Sequence, residues 1–321
     1  MNPGIAFYVS GHGLGHVTRN AEIRRALVAL APETRLYIRP SANLDSGAIE
    51  DGSALQVNPR LTLEAVARVL AAREPAIAEE AEFIRSNAIT LAVADIPYLA
   101  GDIAAAAGIP CIGIGNFTWD WIYEPYFENC PEYAHLKPIV RAGYSKMELY
   151  LRLPFSHSDG LEVFPEVREV PLVARLGKAA DRGSRPRVLV AMRGGIDKCS
   201  LERARETNEF EFLEPDGRHF PDLVRASDAV VSKLGYGTIA ECAVNGSALL
   251  YPPRTGFREE PLLEAAAARY LRARQIPLAD FESGNWAPHL QALLAMTAPA
   301  EGLEANGAEV CARIIESRCR A

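Results

Sequence analysis

The chain has 321 residues, of which 49% are hydrophobic, and a formal net charge of −7. That length and composition describe a globular protein with room for two cores, and the negative balance with scattered arginines argues against a nucleic-acid partner. The longest apolar run, Ile103 to Ile114, is cut by Gly108 and Pro110 and is too short to cross a bilayer, so no integral membrane segment is expected.

Gly4 to Ser10 reads as a first strand that enters almost at once, with no secretory leader ahead of it. It feeds Gly11-His12-Gly13-Leu14-Gly15-His16, and a helix is expected from about Val17 to Leu30. Arg35 to Arg39 is a second strand, followed by a helical region from Leu61 to Ser86 interrupted at Pro75. Ile89 to Ala94 reads as a buried strand ending at Asp95. A helix from about Tyr98 to Ala107 stops before Gly108-Ile109-Pro110, and Cys111 to Ile114 is the next strand. This alternation implies a parallel sheet with helices on both faces, an α/β class.

Pro154, Pro165, Pro171 and Pro186 interrupt the next stretch, so a first domain is expected over 1–165, a linker over 166–186 and a second domain over 187–321. The second half repeats the alternation. Strands are expected at Arg187 to Met192, Phe210 to Leu213, Asp228 to Ser232 and Ala248 to Tyr251, with a helix through Cys242. Helices from Glu260 to Arg274, Pro288 to Met296 and Leu303 to Ser317 close the chain. Two similar halves suggest a cleft between two lobes. Six cysteines show neither a C-x-x-C pair nor metal-ligand spacing, which fits reduced thiols and a cytoplasmic location.

Three glycine-bearing loops follow strands: Gly11 to Gly15, Gly194-Gly195 and Gly235 to Gly237. Each falls on the carboxyl edge of its expected sheet, where open α/β folds bind ligands and helix N-termini favour anions. The dinucleotide fingerprint G-x-G-x-x-G fails at His16, and the second strand ends in Arg39-Pro40 rather than an acidic residue. The phosphate-loop signature G-x-x-x-x-G-K-[ST] is absent, which disfavours ordinary kinase chemistry. No D-x-D pair follows a strand, so no metal site and no cofactor is expected.

His16, at the helix start, suits a general base, because the positive helix end favours a neutral imidazole. His12 either holds the turn by donating to a carbonyl or faces an acceptor. Residues 117 to 155 are dense in aromatics, most of which suit a core. Asn116-Phe117-Thr118-Trp119-Asp120-Trp121, however, follows a strand on the ligand edge, and Asn116 and Trp119 are candidates to contact a sugar-like acceptor. Asp120 is a second candidate base, or the carboxylate that orients His16.

Gly235-Tyr236-Gly237-Thr238-Ile239-Ala240-Glu241 resembles the nucleotide-binding helix start of GT-B glycosyltransferases, in particular the peptidoglycan N-acetylglucosaminyl transferase group. The resemblance implies Glu241 on the ribose hydroxyls and Glu259 and Glu260 on the donor sugar, within Phe257-Arg258-Glu259-Glu260-Pro261. It also implies Arg193-Gly194-Gly195 at the diphosphate and a base at His16. G-H-G-x-G-H-x-T-R from Gly11 to Arg19, Asn116 to Asp120, and the stretch from Ser232 to Thr238 together resemble the GT-B-like N-terminal region of plant arabinokinases. The downstream sugar-kinase domain of those proteins is not part of the resemblance.

The resemblance implies two Rossmann-like lobes and an inverting, metal-independent transfer from a nucleotide-diphosphate sugar, UDP-linked, to a small-molecule acceptor. Gly13, Gly15, Arg193, Gly194, Gly195, Lys233, Gly235, Gly237 and Thr238 would then surround the donor with Glu241, Glu259 and Glu260. Two alternatives stand beside it: a sugar-nucleotide epimerase using Glu259 and Glu260, and a non-catalytic nucleotide-sugar sensor. No basic amphipathic helix supports peripheral membrane contact through the aromatic segment, though the sequence leaves it open.

Overall fold

The computed structural model describes residues 3–40, 43–52, 54–178, 184–192, 196–217 and 219–320. Contacts divide the chain into unit 1 (Met1–Ile49, Asn58–Val173, Ala305–Ala321) and unit 2 (Glu50–Val57, Ala174–Glu304).

Unit 1 begins with β1 (Gly4–Val9), α1 (Leu14–Leu30), β2 (Arg35–Pro40), α2 (Pro59–Ala71), α3 (Arg73–Ser86) and β3 (Ile89–Asp95). It continues through α4 (Leu99–Ala107), β4 (Cys111–Gly115), α5 (Trp119–Asn129), α6 (Lys137–Tyr144), β5 (Leu149–Arg152) and β6 (Glu166–Glu169). All six strands are parallel, in the order β2-β1-β3-β4-β5-β6. β1 is buried along its whole length, which is why it reads as a continuous apolar run rather than an alternating one. The order reverses direction between β1 and β3, so the loops leaving these two strands border the switch point where such sheets place ligands.

Several expected boundaries move. α1 starts at Leu14, not Val17, because Gly13 takes φ 91° and ψ 155°, a backbone that suits glycine and turns the chain straight into the helix. Gly15 and His16 therefore lie in the first turn of α1. The break between α2 and α3 falls at Ala72, and Pro75 sits in the first turn of α3, where its missing N–H costs little. The aromatic stretch after β4 is largely helical, as α5 and α6, and the proline-rich tract contains β6.

Unit 2 runs through β7 (Arg187–Val190), α7 (Lys198–Glu206), β8 (Glu211–Leu213), α8 (Phe220–Arg225), β9 (Ala229–Val231) and α9 (Tyr236–Asn245). Then come β10 (Ala248–Tyr251), α10 (Glu260–Tyr270), β11 (Ala273–Gln275), α11 (Leu278–Ser283) and α12 (Ala287–Leu294). Its parallel order β11-β10-β9-β7-β8 reverses between β7 and β9. Val188, Val190, Ala229, Val231, Leu250, Trp286, Leu290 and Leu293 fill the core under that sheet. The helix expected to reach Arg274 ends at Tyr270, because Ala273 to Gln275 pair with β10.

The chain then returns to unit 1 as α13 (Gly307–Arg320), which packs on α1. The return is fastened by a bridge between Val173 and Asn306 and by the Gly307 N–H donating to Leu172 O at 3.0 Å. The sequence-based division put all of 187–321 in one domain; residues 305–321 instead belong with unit 1. A short early segment goes the other way. Leu55 joins the core of unit 2, and the backbone exchanges hydrogen bonds with Thr255 through Leu55 and Val57.

Candidate functional site

The switch point of unit 1 holds a buried polar network. His16 Nδ1 lies 2.8 Å from Asp95 Oδ1, with His16 7% exposed and Asp95 fully buried. The same Nδ1 lies 2.8 Å from Arg19 Nη2, which can only donate, so Nδ1 donates to Asp95 in one tautomer and accepts from Arg19 in the other. Arg19 grips the same carboxylate as a fork: Nε donates to Oδ2 at 2.6 Å and Nη2 donates to Oδ1. The remaining Arg19 nitrogen, Nη1, donates to Asn116 Oδ1 at 2.8 Å, and Asn20 donates to Asp95 Oδ2. Burial by itself would raise the Asp95 pKa. The Arg19 charge, then His16, outweigh it and bring the group down to about 2.

Strain accompanies this network. Ile96, directly after Asp95, takes φ 61°, an outlier for a β-branched residue. Its carbonyl accepts the Tyr144 hydroxyl at 2.8 Å. Space for its side chain exists because residue 115 is glycine: a Cβ there would lie 2.5 Å from Ile96 Cγ2.

The other residues expected in this unit fall as follows. His12 packs edge-on against Trp119, with ring centroids 5.5 Å apart, and lies against Gly47, whose added Cβ would meet His12 Nδ1 at 2.5 Å. Trp119 is fully buried, stacked on Tyr123, and donates Nε1–H to Asp45 Oδ2 at 3.1 Å. It presents no open face to an acceptor. Asn116 is buried on Arg19. Asp120 does not orient His16. Its Oδ2 accepts from Arg141 Nη1 at 3.0 Å, and Asp95 fills the orienting position instead.

In unit 2, the loop between β9 and α9 carries Lys233, Leu234 and Gly235. Lys233 Nζ donates to Glu50 Oε1 at 2.8 Å. Gly235 caps α9 in an extended conformation without a side-chain cap, and Gly237 and Thr238 occupy the first turn. The peptide N–H groups of that turn form the anion-favouring end of the helix. Glu241 is buried on the same helix and accepts from Arg175 Nε at 2.7 Å.

Glu259 caps α10 and Glu260 opens it. Both Glu260 oxygens are buried without a hydrogen-bond partner at normal geometry, and Arg254 Nη1 stands 3.7 Å from Oε2. Burial first, and the neighbouring Glu259 and Glu264 charges after it, lift Glu260 to about 7 against the pull of Arg254. The Arg254 guanidinium stacks over Phe257 at 3.6 Å and donates to Leu234 O at 3.1 Å, tying the loop after β10 to the loop after β9. Arg193, Gly194 and Gly195 lie outside the described residues.

Sequence reasoning missed Asp95 as a site residue, along with Arg254 and Glu50. Asp95 was legible as the polar end of an apolar strand, a position worth flagging on a carboxyl edge. Nothing local signalled the other two. Among the described residues no group of three or more His, Cys, Asp or Glu is placed to hold a metal ion, and no helix is long and apolar enough to cross a membrane.

Two parallel α/β units with these switch points define the GT-B fold, and solved glycosyltransferases match it across the whole chain. The glycosyltransferase of kitacinnamycin superposes with a TM-score of 0.62 at 14% identity, covering 99% of this chain and 95% of that one. The spinosyn rhamnosyltransferase SpnG gives 0.62 at 15%, covering 100% and 96%. The same enzyme complexed with thymidine diphosphate gives 0.61 at 14%, covering 99% and 96%. No protein-family model matches the chain. In sequence it is similar to L-arabinokinase of Arabidopsis thaliana, 30% identical over 97% of this chain and 34% of that protein. The chain thus spans about a third of the length of the curated relative it matches.

Proposed function

We propose that the chain is an inverting, metal-independent glycosyltransferase that moves a sugar from a nucleotide-diphosphate sugar to a hydroxyl of a small-molecule acceptor. The observation that carries the reading is the buried His16–Asp95–Arg19 network, in which the tautomer that donates Nδ1–H to Asp95 has Nε2 able to take a proton. As the acceptor oxygen forms its bond to the anomeric carbon, its proton passes to His16 Nε2. The bond from that carbon to the diphosphate breaks at the same time. The leaving diphosphate gathers negative charge, which Lys233 and the first turn of α9 are suited to offset.

Glu241 is the proposed ribose contact, with Arg175 holding one of its oxygens. Glu260, with neither oxygen partnered at normal hydrogen-bond geometry, is suited to sugar hydroxyls. Uridine diphosphate is the nucleotide to test first. Thymidine diphosphate follows, because it is the nucleotide held by SpnG. A cytoplasmic location goes with the six free thiols.

Replacing His16 with Ala is expected to cut turnover by at least about tenfold while nucleotide affinity by calorimetry stays put. Turnover close to wild type would remove His16 as the base. A second reading, binding without turnover, is favoured by one observation: Arg19 already neutralises the carboxylate behind His16. Tight nucleotide-sugar binding with no product across a broad acceptor panel would select it.

A further inference from the structure

A second histidine–carboxylate pair sits on the same edge of unit 1, one strand further along. Asp120 is in the first turn of α5, after β4; His157 lies in the turn after β5, the neighbouring parallel strand. Their side chains are 4% and 1% exposed. His157 Nδ1 lies 2.7 Å from Asp159 O, and a carbonyl can only accept, so Nδ1 carries the proton and Nε2 the lone pair. The His157 ring is clamped flat against Trp121, with centroids 4.3 Å apart and planes 9° apart. The Trp121 indole N–H donates in turn to Asp159 Oδ2 at 3.0 Å.

Two fixed acceptors are left over. His157 Nε2 and Asp120 Oδ1 are both buried, and neither receives a hydrogen bond. Each such atom costs on the order of 1 to 3 kcal/mol when nothing meets it, and the two are near enough for the Asp120 charge to act on His157.

We propose that Asp120 and His157 form a binding subsite for the hydroxyl groups of a polyol or sugar, each acceptor taking one O–H. The chemistry of the two atoms selects this class. An anion is refused, because both groups accept and one is a carboxylate. A cation gains little, because Arg141 already sits 3.0 Å from Asp120 and burial holds the His157 pKa below the ordinary histidine value. The other charged groups facing the pair, Arg152, Asp159 and Glu162, make their own contacts to Glu169, Trp121 and Arg141.

As an acceptor subsite the pair rests on the transfer reading; as a sugar-binding site it does not.

The test uses the full chain, no nucleotide, and a panel of free pentoses, hexoses and inositol at up to about 10 mM, read by calorimetry and by the imidazole nitrogen resonances. At least one sugar should bind saturably to the wild type and move the His157 Nε2 resonance toward its hydrogen-bonded position. His157→Phe keeps the ring stack on Trp121 and removes Nε2; Asp120→Asn puts an amide where the carboxylate was. Each should weaken binding by at least about tenfold, with the melting temperature within a few degrees of wild type. A purely structural pair gives the reverse, lower melting and untouched binding. Sugars that bind nothing, bind both variants as well as wild type, or leave Nε2 unmoved overturn the proposal. A wild type that binds a sugar here but no nucleotide overturns the transfer reading and leaves this site standing.

Discussion

Removing Asp95 should unmask how much of unit 1 depends on one carboxylate. Three donors converge on it, Arg19 Nε and Nη2 and Asn20 Nδ2, and His16 Nδ1 lies 2.8 Å from it. Arg19 is only 3% exposed at its side chain. Asp95→Leu therefore leaves a buried guanidinium without this carboxylate, still in contact with Asn116 Oδ1 and His16 Nδ1. Breaking a buried pair from one side costs about 3 to 5 kcal/mol, a factor of roughly 10² to 10³ or more in the opening equilibrium. The double variant Arg19→Met/Asp95→Leu removes both charges and should recover most of that loss, since apolar replacements of buried pairs are often near neutral. Hydrogen exchange at the amides of β1 and β3 reads the local opening energy of unit 1 without requiring the whole chain to unfold at once. A single variant costing under about 1 kcal/mol, or a double variant as damaged as the single, would refute the reasoning. Acid supplies an independent check. Asp95 is depressed from 3.8 to about 2, so its contribution is complete above pH 3.8 and disappears as pH falls through about 2. If turnover is present, the double variant separates the roles further: it should fold yet leave His16 without its orienting partner.

Two more outcomes follow from the geometry. Gly115→Ala would set a Cβ 2.5 Å from Ile96, 2.8 Å from the Tyr150 hydroxyl and 3.0 Å from Phe117 O. It should cost about 3 kcal/mol by overpacking, and a thermal transition within a degree or so of wild type would contradict it. Glu260 is lifted from 4.5 to about 7, so folding favours its protonated form, and its effect on stability is lost as pH rises from 4.5 through about 7. Glu260→Gln should flatten that part of the stability-against-pH curve and gain stability at pH 8; an unchanged curve would show that the carboxyl is ordinary.

Much of the architecture was readable in the chain, because doubly covered parallel strands are written as short apolar runs bounded by Gly and Pro. β1, β3, β4, β7, β9 and β10 read in this way, whereas β2 is an edge strand with Arg35 and Arg39 in it and Ile38 exposed. β6 did not: Glu166-Val167-Arg168-Glu169 is a charged, largely exposed edge strand inside a proline-rich tract, and edge position favours such residues. α13 was legible as a helix but not as a member of unit 1, since no periodicity states which core a helix covers. The site divided along similar lines. His16 was visible from its motif, whereas Asp95 reaches it from 79 positions away through the register of β3 against β1. Trp119 misled, because an aromatic beside Asn and Asp looks like a binding face until Tyr123, His12 and Asp45 are seen to enclose it. His157 carried no local signal, since its importance lies in an atom left over after folding.

The fastening of Val173 to Asn306 gives the polypeptide a natural seam. Cutting out 174–304 and rejoining the stumps there would keep all six strands of the first sheet and its covering C-terminal helix on one shorter chain. Truncating at a single point after Val173 would instead peel that helix from α1 and expose the apolar flank it covers.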